Sequence, residues 1–398
     1  MASDSSSLGQ ADRVRGATGS ASASDHVPLR IGMLAPLSWP VPPEGYGPWE
    51  LVVSNLTEEL VRRGHQVTLF AAAGSKTSAR LVETVPYAFS LWPEELRHAR
   101  QQLDPASGLL KGPPDFRILE QQHIATCMEA ASRGEFDVVH SHLHVHALVF
   151  ARLIPCPMIS TLHGAAWAQA THVVFDRYRQ QPIVSLSTAE RHFKPDLNYV
   201  ATVPNGIRLE HFPFCAEKED YLLFAGRLAP EKGVAEAVEI ARRADRPLRI
   251  AGPIEPQYHD YFDQRVRPFL DGRRIAYLGA LAQKELMPLY QRAAAVLFPI
   301  SWAEPFGLVA AEAQACGTPI IAMRKGYLPE LVRDGVSGFL VDTLDEAVAA
   351  VKGLPNIRPE DCRANVEERF TAATMADGYE RVYYERIAAA DANLRFQS

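Results

Sequence analysis

Residues 29–72 read LRIGMLA (29–35), PL, SWPVPPEGYGP (38–48), WELVVSNLTEELVRRG (49–64) and HQVTLFAA (65–72). In the first piece Leu29, Ile31 and Met33 alternate with other residues, the period of a strand. The proline-rich piece that follows is a loop. In the next, Val52, Val53, Leu56 and Leu60 mark one face at helical spacing, and Gly64 stands where a C-terminal cap belongs. The last piece is a second short apolar strand. Strand, loop, helix and strand in this order open a doubly wound parallel sheet.

Outward from that unit the rhythm continues. FDVVHSH (136–142), PMISTLHG (157–164), PIVSLS (182–187) and YVATVPNG (199–206) are strand candidates. Each carries polar residues at its C-terminal end, where open α/β sheets bind ligands. A second series starts with YLLFAGRLAPEKG (221–233) and the helical VAEAVEIARRA (234–244). It runs on through PLRIAG (247–252), RIAYLG (274–279), AAVLFPI (294–300), TPIIAM (318–323) and SGFLV (337–341). The expected fold is therefore α/β, with two Rossmann-like domains facing across a cleft, over residues 28–207 and 208–370. Residues 371–398 form a terminal helix that either closes the second domain or crosses back to the first. Residues 75–120 look irregular and proline-containing, an insertion beside the crevice. Residues 1–27 are rich in Ser, Ala, Gly and Asp without the apolar centre of a secretion signal, and read as a disordered leader.

Composition agrees with two ordinary cores: 398 residues, 47% hydrophobic and 22% charged. A net charge of -6 lacks the basic footprint of a nucleic-acid binder. Cys127, Cys156, Cys215, Cys316 and Cys362 are scattered, with no C-x-x-C pair, which suits a reducing compartment. No apolar run is long enough to cross a bilayer. The expected location is cytoplasmic, with a peripheral membrane contact left open.

Four motifs carry the chemistry. Glu304-Pro305-Phe306-Gly307-Leu308 follows an apolar strand and opens a helix at about Phe306, with Glu312 eight positions beyond Glu304. The first N–H groups of such a helix lack internal partners and suit a phosphate or sugar oxygen. The two carboxylates would stand ~12 Å apart along the axis, about the span from a hexose to a ribose across a diphosphate. A solvated helix glutamate after an ordinary loop is the plain alternative. Gly226-Arg227-Leu228 and Glu231-Lys232-Gly233 place Arg227 and Lys232 after a strand, where two cations can stabilise a leaving diphosphate without metal; routine surface charges are the alternative. No Asp-x-Asp pair occurs, and no metal site is expected. His163-Gly164 ends PMISTLHG, within reach of a ligand held by the opposite domain. The run HSHLHVH (140–146) suggests a metal site, but buried or half-buried structural histidines are the preferred reading there. Tyr46-Gly47-Pro48 precedes the first helix, where an anion is favoured, although a plain turn fits too. Weaker features are the VPNGI turn (203–207), Gly252, and Gly279-Ala280-Leu281, whose backbone could hold a nucleobase.

In order and spacing these segments resemble the retaining glycosyltransferases of family four, of the two-domain GT-B fold. The resemblance covers about residues 28–386. It rests on the glycine loop, EELVRRGHQVTLFA, FDVVHSH, TLHG, VPNGI, GRLAPEKG, the Glu-x7-Glu segment and GTPIIA. It implies metal-independent transfer of a hexose, from a nucleoside-diphosphate sugar bound mainly by the C-terminal domain, to a hydroxyl acceptor. A UDP-hexose is preferred over GDP-mannose, and a soluble small molecule or sugar is the preferred acceptor. By the same resemblance Glu304, His163, Arg227 and Lys232 are the catalytic set. Gly47, Gly279, Leu281, Phe306, Gly307, Leu308 and Glu312 join Arg227, Lys232 and Glu304 in binding the donor, with Glu312 on the ribose and His163 near C6 of the hexose. No cofactor is implied. Two positions depart from the family pattern: Pro48 stands where a second glycine is usual, and Arg208 where an acidic residue is common. The rival readings are a sugar-nucleotide epimerase of the same fold and a catalytically silent nucleotide-sugar-binding protein. A pyridoxal-dependent phosphorylase lacks its lysine site, and a dehydrogenase lacks G-x-G-x-x-G after the first strand.

Overall fold

The computed structural model describes residues 27–45, 47–92, 102–103, 110–111, 116–164 and 171–395. The leader expected over residues 1–27, apart from Val27, lies outside these residues, as do Tyr46 of the glycine loop and much of the 75–120 stretch.

Apolar strands feeding helices build two parallel sheets. The first holds β1 (Arg30–Leu34), β2 (Gln66–Ala72), β3 (Arg80–Val85), β6 (Val138–Ser141), β7 (Met158–Thr161), β8 (Ile183–Ser185) and β9 (Tyr199–Thr202), in the order β3-β2-β1-β6-β7-β8-β9. The second holds β10 (Leu222–Ala225), β11 (Leu248–Ala251), β12 (Ile275–Tyr277), β13 (Ala295–Phe298), β14 (Ile320–Met323) and β15 (Gly338–Val341), in the order β12-β11-β10-β13-β14-β15. Between β3 and β6 in sequence, β4 (Gln102–Leu103) and β5 (Leu110–Lys111) form a separate antiparallel pair. Each large sheet reverses its winding direction beside its first strand, between β1 and β6 and between β10 and β13, the switch points at which such sheets bind ligands. The stretch expected to be irregular in fact contains the edge strand β3. Its half-exposed residues pair with β2 through a bulge at Ala71/Ala72, which weakens the apolar pattern that reveals inner strands.

Both faces of the inner strands are buried, as parallel sheets require. On β10, Leu222 and Phe224 join the core beneath the helices Val234–Arg243 and Leu344–Gly353, whereas Leu223 and Ala225 join Ala310, Ala311 and Val366 on the other side. The terminal helix Ala372–Arg395 leaves the second sheet altogether. Met375, Ala376, Tyr379, Val382 and Tyr383 bury one of its stripes against the first sheet and the helix Pro48–Arg62. Arg63 bonds Asp377 and Glu380 at 2.6 Å each, and His65 bonds Glu380 at 2.7 Å. The chain thus crosses between the domains twice, and the two crossings run side by side. The N–H of Ile207 donates to Phe370 (2.9 Å), and that of Ala372 donates to Ile207 (2.8 Å). Among the described residues no helix is long and apolar enough to cross a membrane.

Candidate active site

The C-terminal ends of the two sheets face each other across a cavity of about 350 Å³. Trp49, His163 and Asn205 line it from the first domain; Arg227, Lys232, Trp302 and the segment Glu304–Val309 line it from the second.

Glu304 owes its place to the loop after β13. The Tyr327 N–H donates to its carbonyl at 2.9 Å. At Gly326 (φ 55) a Cβ would lie 2.4 Å from the Glu304 backbone, so only glycine admits this contact. The Phe306 ring stacks on Tyr327 (5.0 Å, 26°) and meets Phe370 edge-on (5.8 Å), which anchors the loop in the core. The helix begins at Leu308 rather than at Phe306, because Gly307 takes a left-handed conformation as its N-cap. Lys232 Nζ lies 2.6 Å from Glu304 Oε2 and 4.5 Å from the centre of the Trp302 ring. Arg227 bonds Glu255 at 2.8 Å and Glu231 at 3.2 Å. Both expected cations therefore face the cavity already holding carboxylates. Trp302 and Glu255 were not singled out from the sequence. Trp302 adjoins the Glu304 motif and was findable there, whereas nothing in PIEP (253–256) marks Glu255 as a partner of Arg227.

Across the cavity His163 sits in a left-handed conformation (φ 46), and the next N–H, of Gly164, donates to buried Glu190. Glu190 also accepts from the Leu186 N–H at 2.8 Å, clamping the turn, and burial pushes its carboxyl up to about 7. His163 stacks on Trp49 (5.8 Å between centres, 28°) and its Nε2 is 2.8 Å from His142 Nδ1; its Nδ1 has no partner among the described residues. Burial holds the His163 imidazole well below its usual pKa, and His142 and His144 beside it add to the effect, so the ring is neutral. The histidine run is not a continuous strand. β6 ends at Ser141, and residues 145–148 form a short helix, so only His140 of the four histidines stands on a strand. His140 bonds the Tyr383 hydroxyl (2.7 Å) and Thr161 (2.8 Å), while exposed His146 pairs with Glu120. No group of three or more His, Cys, Asp or Glu among the described residues is arranged to hold a metal.

Gly47 immediately precedes the lining residues Pro48 and Trp49. Glu50, in the first turn of the following helix, accepts from the Trp39 N–H at 3.0 Å and so ties down the proline-rich loop. Gly279, Leu281 and Glu312 do not line the cavity. Glu312 is buried beside the helix Gln283–Arg292, with the Gln283 amide 3.4 Å away. Gln283 follows Leu281 by two residues, so Glu312 and the Gly279–Leu281 loop belong to one neighbouring region. Burial pushes the Glu312 carboxyl up to about 7 against the opposing pull of Tyr290 and Gln283. Asn205, read from the sequence only as part of a turn, is buried on the cavity wall with its Oδ1 lacking a partner among the described residues.

The model of "Glycosyltransferase Family 4" matches residues 50–211, and that of "Glycosyl transferases group 1" matches residues 210–366. A glycogen synthase of Mycobacterium tuberculosis is 31% identical over 285 residues, 62% of this chain and 68% of its own. A D-inositol 3-phosphate glycosyltransferase of Geodermatophilus obscurus is 30% identical over 380 residues, 82% of each chain. Among solved structures, that of Anabaena Alr3699/HepE in complex with UDP-glucose superposes with a TM-score of 0.64 at 18% identity, covering 91% of this chain and 100% of that one.

Proposed function

The chain belongs to the group 1, family 4 glycosyltransferases, of GT-B fold, and on that premise we propose that it transfers a hexose from a nucleoside-diphosphate sugar to a hydroxyl acceptor, with retention of anomeric configuration and without a metal ion. The observation that carries this reading is the convergence of Lys232, Arg227 and the N-terminus of the helix Leu308–Ala315 on one wall of a cavity whose opposite wall presents His163. A UDP-hexose is the favoured donor, in keeping with the UDP-glucose bound by the Anabaena relative. A small molecule or sugar is the favoured acceptor.

Transfer breaks the bond between the anomeric carbon and the diphosphate oxygen, and the electron pair goes to that oxygen. Lys232, Arg227 and the first helical N–H groups meet the charge as it develops. Arg227 is held by Glu255 and Glu231, both about one-third exposed, which water can solvate when a diphosphate takes their place. Lys232 keeps Glu304 at hand for the hexose hydroxyls. The acceptor oxygen bonds to the anomeric carbon on the face the diphosphate leaves, and its proton passes to the departing phosphate oxygen. A thermal-shift screen against UDP, GDP, ADP and their hexose conjugates, without metal, tests the reading. Stabilisation by UDP and UDP-glucose is expected; no shift with any nucleotide would refute it.

A further inference from the structure

Among the described residues, three ring nitrogens in the histidine cluster are buried without a partner: His142 Nε2, His144 Nε2 and His163 Nδ1. Two of them belong to rings joined by a single hydrogen bond, between His142 Nδ1 and His163 Nε2 at 2.8 Å. Burial keeps both rings neutral, so each carries one proton. Only two arrangements satisfy the bond. In one, His163 donates from Nε2; its Nδ1 is then a bare acceptor, and the proton of His142 is forced onto Nε2, a buried N–H with nothing to receive it. In the other, His142 donates from Nδ1. Its Nε2 is then a bare lone pair, and His163 carries its proton on Nδ1. Orphaned buried N–H groups are rarer than under-used acceptors.

His142 is fully buried and is not among the residues lining the cavity, whereas His163 is. Any ligand that relieves one of the two orphaned nitrogens therefore meets His163. The groups packed around the pair do not favour the reverse arrangement. His140, 4.1 Å from the His142 ring centre, uses both nitrogens on Tyr383 and Thr161. His144 and Trp49 meet His163 by ring contact.

We propose that His142 is a positioning residue that sets the tautomer of His163: it donates through Nδ1–H to Nε2 of His163 and leaves His163 an Nδ1–H donor for an oxygen of the bound substrate. The consequence for catalysis rests on the glycosyltransferase reading above; the tautomer itself does not.

The full chain labelled with 15N-histidine tests this by long-range 1H–15N correlation, with the His163 ring identified by its loss in His163→Asn. The protonated nitrogen of His163 is expected to be Nδ1. It stays so in His142→Asn, whose amide can donate, and moves to Nε2 in His142→Asp, whose carboxylate can only accept. An Nε2–H in the wild type overturns the proposal, and this result needs no variant at His142 to fold. With UDP-glucose as donor and water as acceptor, His142→Asp is expected to release UDP about tenfold more slowly, with His142→Asn restoring most of the rate, as one hydrogen bond would give. Equal rates in His142→Asp and wild type, with the tautomer reversed, would remove the catalytic consequence. An Nδ1–H on His163 in a protein that binds none of the screened nucleotides or their hexose conjugates would uphold the tautomer and refute the function instead.

Discussion

Replacing Lys232 with alanine separates a structural ion pair from a catalytic cation. In the folded protein its Nζ is 2.6 Å from Glu304 Oε2, with the two side chains 17% and 11% exposed. Breaking a fully buried pair costs about 3–5 kcal/mol, because the surviving charge is left desolvated. Both partners here keep some contact with water, so about 1–3 kcal/mol is the appropriate range. If Lys232 also meets the charge on the leaving diphosphate, its loss lowers kcat by about 100- to 1000-fold, the effect of deleting one preorganised donor to a developing oxyanion. The assay is release of UDP from UDP-glucose, read beside the melting temperature. The double variant Lys232→Ala/Glu304→Gln decides between the two roles. Neutralising Glu304 removes the stranded charge and should recover the melting temperature, while turnover stays low. Recovery of turnover together with stability would refute the reasoning, as would a single variant within about threefold of wild type.

Glu312→Gln is expected to weaken UDP binding and to change how stability depends on pH. The native carboxyl is raised to about 7 from 4.5. Between those values the folded state holds a proton that the unfolded chain has released, so this group's contribution to stability falls as pH rises. The variant should therefore gain melting temperature relative to wild type at pH 8 and not at pH 4.5, and equal offsets at both would contradict the assignment. Glu330→Ala removes a carboxylate of the second domain that accepts from the Thr188 and Ala189 N–H groups of the first, at 3.3 and 3.1 Å. The contact between the domains loses about 1 kcal/mol, and where donor binding draws on that arrangement of the domains the UDP-glucose Kd rises by about fivefold and the particle expands in small-angle scattering; unchanged scattering and affinity would deny the contact a role in holding the domains together. EDTA is expected to leave UDP release intact, and a full loss restored by added metal would contradict metal-free transfer.

The parallel strands and most of their helices were legible in the sequence because fully buried apolar runs alternate with amphipathic ones, a pattern set residue by residue. The edge strand β3 was not, since one side of it meets water and its apolar pattern is diluted. Arg227, Lys232, His163 and Glu304 could be picked out because each follows a strand at its C-terminal end, and parallel topology sends all such ends to one side. Sequence alone thus determined two doubly wound units and the polar residues at their rims. Only the tertiary structure decided which of those residues meet. Lys232 lies 72 positions from Glu304, His142 lies 21 from His163, and Arg63 lies 317 from Glu380. Contacts at such separations depend on how two sheets and a returning helix pack, and no local periodicity records that.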